Sequence, residues 1–417
     1  MPHSKYLIVG SSHAALEAVS AIRMQDEDGS ITMLTRDARL PYSPTILPYI
    51  VSGHSRPDNV VLRDTAYFGQ NNVALRRNAE VVAVDPAAKS VRTADKLWTY
   101  DKLLLATGGT PVVPPVPGLG DVKLHVLHTM DDAIALHDAM ATAKSAIVLG
   151  AGLCGMHGAE NMAKSGVAVS VIVRSRALRE YFSPRAGKLI EAAFASQGIR
   201  MLMGRTPAAV EPHGDGCAVT LDNGETITAD LIMVGTGVNP AIGYLAGSGV
   251  ETARGILVDD RMRTSVPDVW AAGDVAEARG FWGGNVVNGI LPGAVEHGRI
   301  AGADMAEDSV VKSFPGAVPL NTYHYFKHHS VSVGLGGQLA DDAGYEVDEQ
   351  VNEERGVYRR IVMQDGRLVG ISSIDDFVDP GIMWQLILRR TDLTPFKADF
   401  LAHPQDTGRR LMSQLWR

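Results

Sequence analysis

Two stretches of this chain follow one plan, and that repeat restricts the fold more than any other feature. In the first, the apolar run Lys5–Val9 ends in Gly10, small residues lead into a helical pattern over Ala14–Arg23, and a second apolar run follows at Ile31–Leu34. In the second, Ser145–Leu149 ends in Gly150, the pattern around Met156–Ser165 is helical, and Val169–Val173 is again apolar. Strand, glycine turn, helix of about three turns and strand make a βαβ unit, whose strands lie parallel with a right-handed crossover. Two such units predict an α/β chain with two parallel sheets.

Composition agrees with a folded chain of several domains. The 417 residues include 43 Gly, 45% hydrophobic and 21% charged side chains, which excludes disorder, collagen and coiled coil. At about 100–200 residues per domain the length predicts two to four domains. The 39 basic against 47 acidic side chains give a net charge of −8, so the bulk electrostatics favour neither nucleic acid nor an anionic membrane. No run approaches the about 20 apolar residues of a membrane helix, and Met-Pro-His-Ser-Lys passes directly into Tyr6–Val9 without a signal-peptide core. Two cysteines, Cys154 and Cys217, form neither a disulfide framework nor a CxxC or CxxxxC centre. A cytoplasmic protein is expected.

Gly150-Ala-Gly152-Leu-Cys-Gly155 is a complete GxGxxG between strand and helix. Its glycines serve a tight turn, close approach of backbone to a pyrophosphate, and close helix packing. The N-terminal counterpart, Gly10-Ser11-Ser12-His13-Ala14-Ala15, keeps the first glycine and has Ser12 and Ala15 at the other two positions. An ordinary βα turn and a phosphate turn both remain open for it. Between the units lie Leu103–Leu105, Ala-Thr-Gly-Gly-Thr-Pro and the linker-like Pro111–Pro117. Later come Asp268–Ala272, Gly273 and Asp274, then a small-residue helix near Gly298–Met305. From Asn321 the character changes. Tyr358–Met363, the turn Gln-Asp-Gly-Arg and Leu368–Ile374 predict a β-hairpin, and Ile382–Arg389 an amphipathic helix, in a third, α+β domain. The amphipathic tail around Asp399–Arg417 is open to docking on the body or a partner, or to lying as a plain surface helix. His324, His328 and His329 lack carboxylate or cysteine partners in sequence, so no metal site is expected and a strand edge or interface is. Trp282, among glycines, covers a ligand or marks a docking patch.

Taken in order, Lys-Tyr-Leu-Ile-Val-Gly10, Leu105-Ala-Thr-Gly108, the Gly150 motif, Ile232-Met-Val-Gly-Thr-Gly237 and Val269-Trp-Ala-Ala-Gly273-Asp274 resemble the FAD- and pyridine-nucleotide-dependent oxidoreductases with two dinucleotide domains. These include ferredoxin and rubredoxin reductases and the flavin module of nitrite reductase. The match runs from Tyr6 to about Gly302. The resemblance implies two Rossmann-like domains plus the C-terminal α+β domain. A discontinuous FAD domain would span 1–118 and 246–320, a nicotinamide dinucleotide domain 119–245, and an interface domain 321–417. FAD contacts are implied for Gly10, Ser12, His13, Ala14, Ser43 and Pro44, for Val81 and Val82 beside the adenine, for Ala106, Thr107 and Gly108, and for Gly273 and Asp274. Gly150, Gly152, Gly155 and Gly237 would serve the nicotinamide nucleotide.

Three departures carry the specifics. The cysteine of the disulfide-reducing branches is replaced at about Thr45, in Leu40-Pro-Tyr-Ser-Pro-Thr-Ile-Leu-Pro-Tyr49, so thiol chemistry is rejected and electrons must leave the flavin directly. The ribose-binding acid is replaced by Arg36, with Asp37 beside it, in the first unit. In the second unit Val173 stands there, followed by Arg174, Arg176 and Arg179. Those arginines favour the 2′-phosphate of NADP(H). His157 stands where many relatives carry Glu and either contacts the nicotinamide, governs proton traffic at the flavin, or packs as a helix-face histidine. It is the sole catalytic candidate, since the cofactors carry the chemistry.

The Leu40–Gly53 stretch and Val318-Pro-Leu-Asn-Thr-Tyr-His are most similar to the flavoprotein subunit of 2-oxoacid oxidoreductase complexes of the phenylglyoxylate dehydrogenase type. That similarity implies exchange of electrons with an iron–sulfur protein or with subunits of a larger oxidoreductase, and it pulls toward NAD(H), against the arginines. No nucleic-acid or membrane partner is expected, and the C-terminal domain is a candidate for oligomer contacts. A stand-alone NAD(P)H oxidase or ferredoxin reductase and a flavin-free structural subunit are the alternatives.

Overall fold

The computed structural model describes residues 1–337 and 344–415. Contacts divide the chain into two compact units, the first formed by Met1–Ile46, Arg56–Thr110 and Val238–Ala317, the second by Leu47–Ser55, Pro111–Gly237 and Val318–Arg417.

In the first unit the repeat builds a parallel sheet in the order Val73–Arg76, Ile31–Leu34, His3–Val9, Leu97–Leu105, Val269–Ala271. The early half of Leu97–Leu105 also pairs antiparallel with Ser90–Thr93, which pairs with Val81–Asp85. Alternation sorts the side chains of the first strand. Tyr6 and Ile8 face the His13–Gln25 and Leu291–Met305 helices, while Leu7 and Val9 face a cluster containing Val84, Val91 and Trp98. Burial on both faces explains why these strands are apolar runs.

The two helices touch through backbone. A Cβ on Gly298 would stand 2.1 Å from the Ala14 carbonyl oxygen, and one on Gly302 2.4 Å from that of Ala18. Near the end of the second helix Asp304 is buried and accepts from Arg263 Nε at 2.6 Å, Arg263 Nη2 at 2.7 Å and Trp270 Nε1 at 2.9 Å. The second of these helices begins at Leu291, seven residues ahead of the small-residue run that marked it in sequence. Pro292 and Gly293 read as breakers, but a proline in the first helical turn loses no hydrogen bond.

The second unit carries a parallel sheet in the order Arg200–Met203, Ala168–Val173, Ser145–Leu149, Leu231–Val234, Leu124–His125. An antiparallel trio, Pro207–His213, Gly216–Leu221 and Thr226–Ala229, buries Cys217. A five-stranded antiparallel sheet follows, ordered Leu320–Tyr325, His328–Gly334, Arg367–Ile374, Val357–Gln364, Glu346–Asn352. The expected hairpin is present, and Asp365 and Gly366 both take positive φ, at 50° and 71°, as a two-residue mirror-image turn requires. The tail forms the Pro404–Leu415 helix and lies against the Pro380–Leu388 helix, Gly408 standing by Ile382, Met383 and Leu386. Among the described residues no helix is long and apolar enough to cross a membrane.

Two measurements check this packing. Gly298→Ala forces the paired helices apart and should cost about 1–3 kcal/mol in chemical denaturation. His297 is buried edge-on to Phe314 with both ring nitrogens unpartnered among the described residues, and burial pulls its pKa from 6.5 down to about 4. The unfolded chain takes up this proton near pH 6.5 and the native one only near pH 4. Native stability is therefore complete above pH 6.5 and falls by about 3 kcal/mol as pH drops through that window. His297→Leu should flatten that part of the stability-against-pH curve.

Candidate functional site

The first cradle forms where the order of the first sheet reverses. The chain leaves His3–Val9 toward Ile31–Leu34 on one side, while Leu97–Leu105 lies on the other, and crevices at such switch points receive ligands beyond the strands' carboxyl ends. Gly10 has φ 123°, donates its N–H to the Leu34 carbonyl at 2.8 Å, and leaves no room for a side chain, since a Cβ would fall 2.1 Å from the Ala106 carbonyl oxygen. Ser12 caps the following 13-residue helix from an extended conformation without spending its hydroxyl on the cap. That hydroxyl and the first-turn N–H groups, including that of Ala14, can therefore receive an anion.

Ala106, Thr107 and Gly108 leave the adjacent strand at the same edge, and Gly273 and Asp274 leave the next. A Cβ on Gly273 would stand 3.2 Å from that of Ala14, so this turn closes onto the helix start. The Thr107 hydroxyl is occupied by the Ala241 carbonyl at 3.1 Å and Tyr244 at 3.0 Å. At the end of Ile31–Leu34, Arg36 is exposed and Asp37 accepts from the Arg39 N–H at 2.8 Å. Ala79 donates to the Thr35 carbonyl at 2.8 Å, which brings Val81, buried, and Val82, exposed, toward the same strand end. His13 Nε2 meets Ser43 Oγ at 2.9 Å, and Ser43 meets Thr45 Oγ1 at 2.8 Å, so residues separate in sequence form one polar chain that ends within the Pro44–Ile46 turn. Burial lowers the His13 pKa.

The second cradle discriminates among its glycines. Gly150 has φ 98°, and a Cβ there would lie 2.5 Å from the Gly235 carbonyl oxygen; one on Gly155 would lie 2.2 Å from that of Gly150. Gly152 differs. Its φ of −79° suits any residue, and its Cβ would meet nothing closer than 3.9 Å. It is exposed at the helix N-terminus, so no contact within the described fold requires bare backbone there. Gly237, at φ 120°, sits beyond the neighbouring strand and is likewise open.

Beyond Ala168–Val173, Arg174 is exposed while Arg176 is turned inward, its Nη2 donating to three backbone carbonyls. Leu178 in this loop is buried with φ 46°, a left-handed conformation costing about 1–2 kcal/mol for a residue with a Cβ. His157 packs edge-on against Tyr323 at 4.6 Å, and burial lowers its pKa, which keeps the ring neutral at neutral pH. Its helix is anchored by Glu160, which accepts from the Phe326 N–H at 2.5 Å and Lys164 at 2.7 Å, and by Asn161, which donates to the Pro48 carbonyl at 2.8 Å. Tyr323 was missed as a site residue in sequence because it reads as one step of a Tyr/His alternation along a strand.

Neither thiol is poised for chemistry. Cys154 donates to the Leu127 carbonyl at 3.3 Å and burial pushes its pKa up to about 11; burial raises that of Cys217 as well. His324 and His329 face each other across the first two strands of the C-terminal sheet at 4.2 Å, and His328 is held by Asp375 at 2.6 Å. Among the described residues no group of three such side chains is arranged to hold a metal. Trp282 stacks edge-on with Phe281 at 5.2 Å.

Comparison with known proteins follows the same lines. The sequence model of the family described as pyridine nucleotide-disulphide oxidoreductase matches residues 4–308. The epsilon subunit of NADH-dependent phenylglyoxylate dehydrogenase from Aromatoleum evansii is 51% identical over 419 residues, covering 100% of this chain and 99% of that one. The nitric oxide reductase FlRd-NAD(+) reductase of Klebsiella pneumoniae (strain 342) is 30% identical over 276 residues, 66% of this chain and 73% of the relative. A chain of the covalent putidaredoxin reductase–putidaredoxin complex superposes with a TM-score of 0.88 at 22% identity, covering 99% of each chain, a likeness of fold.

The glycine geometry generates a paired prediction. Gly155→Ala should lower the unfolding midpoint, because its Cβ strikes backbone. Gly152→Ala should unfold like the unchanged protein yet lose about tenfold or more in affinity for a pyridine dinucleotide, read by calorimetric titration.

Proposed function

The chain belongs to the pyridine nucleotide-disulphide oxidoreductase family, and from that premise we propose that it is the NAD(H)-reactive flavoprotein subunit of a 2-oxoacid oxidoreductase complex of the phenylglyoxylate dehydrogenase type. The observation that carries the reading is two glycine turns in one chain, each seating a helix N-terminus at a strand end, with no cysteine in Leu40–Tyr49, where the resemblance puts the redox cysteine of the disulfide-reducing branches at about Thr45. Full-length identity of 51% to the epsilon subunit of an NADH-dependent enzyme supports the partner and the cofactor choice.

The first cradle fits FAD. Gly10, Ser12 and Ala14 would receive its pyrophosphate on the helix N-terminus, and Asp274 would accept from a sugar hydroxyl. Arg36 and Asp37 stand at the adenosine ribose, with Val81 and Val82 beside the adenine. His13 and Ser43, hydrogen-bonded to each other, hold Thr45 in a fixed polar chain. Bound flavin supplies the step between two-electron hydride exchange and one-electron transfer.

The second cradle takes the nicotinamide nucleotide through Gly150, Gly152, Gly155 and Gly237. Arg174 lies at its ribose end, and Arg176 is already engaged with backbone, which favours NAD(H) over NADP(H). His157, held neutral against Tyr323, shapes the packing of this helix and donates no charge. With two cysteines in the chain there is no cluster-binding array, so the iron–sulfur group belongs to a partner protein or subunit. On this reading 1–118 and 246–320 form the FAD domain, 119–245 the NAD domain, and 321–417 the interface domain for partner subunits or a second copy. The acidic balance and the scarcity of cysteine support a cytoplasmic location.

Anaerobic titration tests the proposal. The purified chain should carry or take up FAD, be bleached by NADH in an amount stoichiometric with flavin, and behave identically after alkylation of its thiols. Native purification should bring iron–sulfur subunits with it. A colourless protein that takes up no FAD would overturn the reading.

A further inference from the structure

The loop after Ala168–Val173 lies at the strand end where a dinucleotide's adenosine ribose binds. In this chain it is gripped from the C-terminal sheet, within the same compact unit. Arg176 Nη2 donates to the carbonyls of Arg179 at 2.9 Å and Phe182 at 3.3 Å inside the loop, and of Gly337 at 2.9 Å beyond the His328–Gly334 strand. Ser332 Oγ donates to the Tyr181 carbonyl at 2.8 Å. The Tyr358 hydroxyl lies 2.9 Å from Ser183 Oγ, which is itself 2.8 Å from Glu349. Contact is backbone to backbone at Gly337, where a Cβ would stand 2.6 Å from the Phe182 nitrogen.

The grip reaches the dinucleotide turn. Leu178, held in its left-handed conformation, donates its N–H to the Ala151 carbonyl at 2.9 Å, between Gly150 and Gly152. A buried leucine keeps such a backbone only where its surroundings determine it. Arg176, two residues ahead of Leu178, donates to the Arg179 and Phe182 carbonyls that follow it, and so closes the loop across Leu178. The same bonds rule out a two-pronged grip on a phosphate. Every two-pronged guanidinium fork uses Nη2 or Nε; Nη2 is shared among three carbonyls, and Nε is buried.

We propose that Arg176 is a positioning residue, through which the C-terminal sheet holds loop 174–183 and the Gly150–Gly155 turn in the shape that binds NAD(H), and that it does not bind a 2′-phosphate. The inference rests on the reading of that turn as the nicotinamide dinucleotide site. Calorimetric titration of the full chain with NAD⁺ and NADP⁺, paired with hydrogen exchange of residues 174–183, tests it. Arg176→Ala should weaken NAD⁺ binding about tenfold and speed exchange in the loop, with no selective loss of NADP⁺. Tyr358→Phe and Ser332→Ala, milder changes to the same grip, should each weaken NAD⁺ about threefold and carry the test if Arg176→Ala does not fold. Unchanged NAD⁺ affinity in the folded variants, or selective loss of NADP⁺ binding in Arg176→Ala, would overturn the proposal. Gly152→Ala separates the two levels. If it abolishes NAD⁺ binding while the grip variants bind normally, this inference alone fails; if it binds NAD⁺ normally, the site reading fails and this inference with it.

Discussion

Backbone-to-backbone approach at the two glycine turns is the constraint on which the rest depends. At Gly10 the turn crosses 2.1 Å, measured to a would-be Cβ, from the carbonyl oxygen of Ala106, and at Gly150 2.5 Å from that of Gly235. These approaches seat each helix N-terminus directly over the end of the neighbouring strand, which aims unsatisfied N–H groups at one point beyond the sheet. A methyl group at either position would lift the helix and disperse those donors. The small residues of the paired helices, Ala14 and Ala18 against Gly298 and Gly302, extend the same close approach along the first unit.

Charge is arranged around these turns as support. Asp304 gathers Arg263, Arg261 and Trp270 behind the helices, and Glu160 ties the second cradle's helix to Phe326 and Lys164. Each buried carboxylate is met by several donors, as burial of a charge demands. Glu349 on the edge strand of the C-terminal sheet collects Ser183, Tyr358 and Arg185 and so joins that sheet to the helix Pro184–Ser196. The cradle's outer wall is thereby built from residues far apart in the chain.

Much of the fold was legible because local periodicity and turn chemistry carry it. The βαβ repeats, the Asp-Gly hairpin and the tail helix are each written in a window of a few residues to about twenty, where 2.0 and 3.6 periodicities are distinct. The Leu291 helix start was obscured, since Pro292 and Gly293 are breakers in general and neutral only in a first turn. In the cradles the glycines and the missing cysteine could be read directly, while the meaning of Arg176 could not. An arginine after a strand looks the same in sequence whether its guanidinium faces a phosphate or three carbonyls.

The sequence by itself determined the two parallel sheets, the presence of a glycine turn at each, and the exclusion of dithiol chemistry, because these follow from residue type at short range. Only the tertiary structure decided which glycines serve the protein and which leave space for a ligand, that His13, Ser43 and Thr45 form one chain, and that the C-terminal sheet holds the loop of a cradle more than a hundred residues earlier. The physical reason is that hydrogen bonds and steric contacts act over a few ångströms in space regardless of separation along the chain, so a side chain's partners are chosen only when the fold brings them within reach.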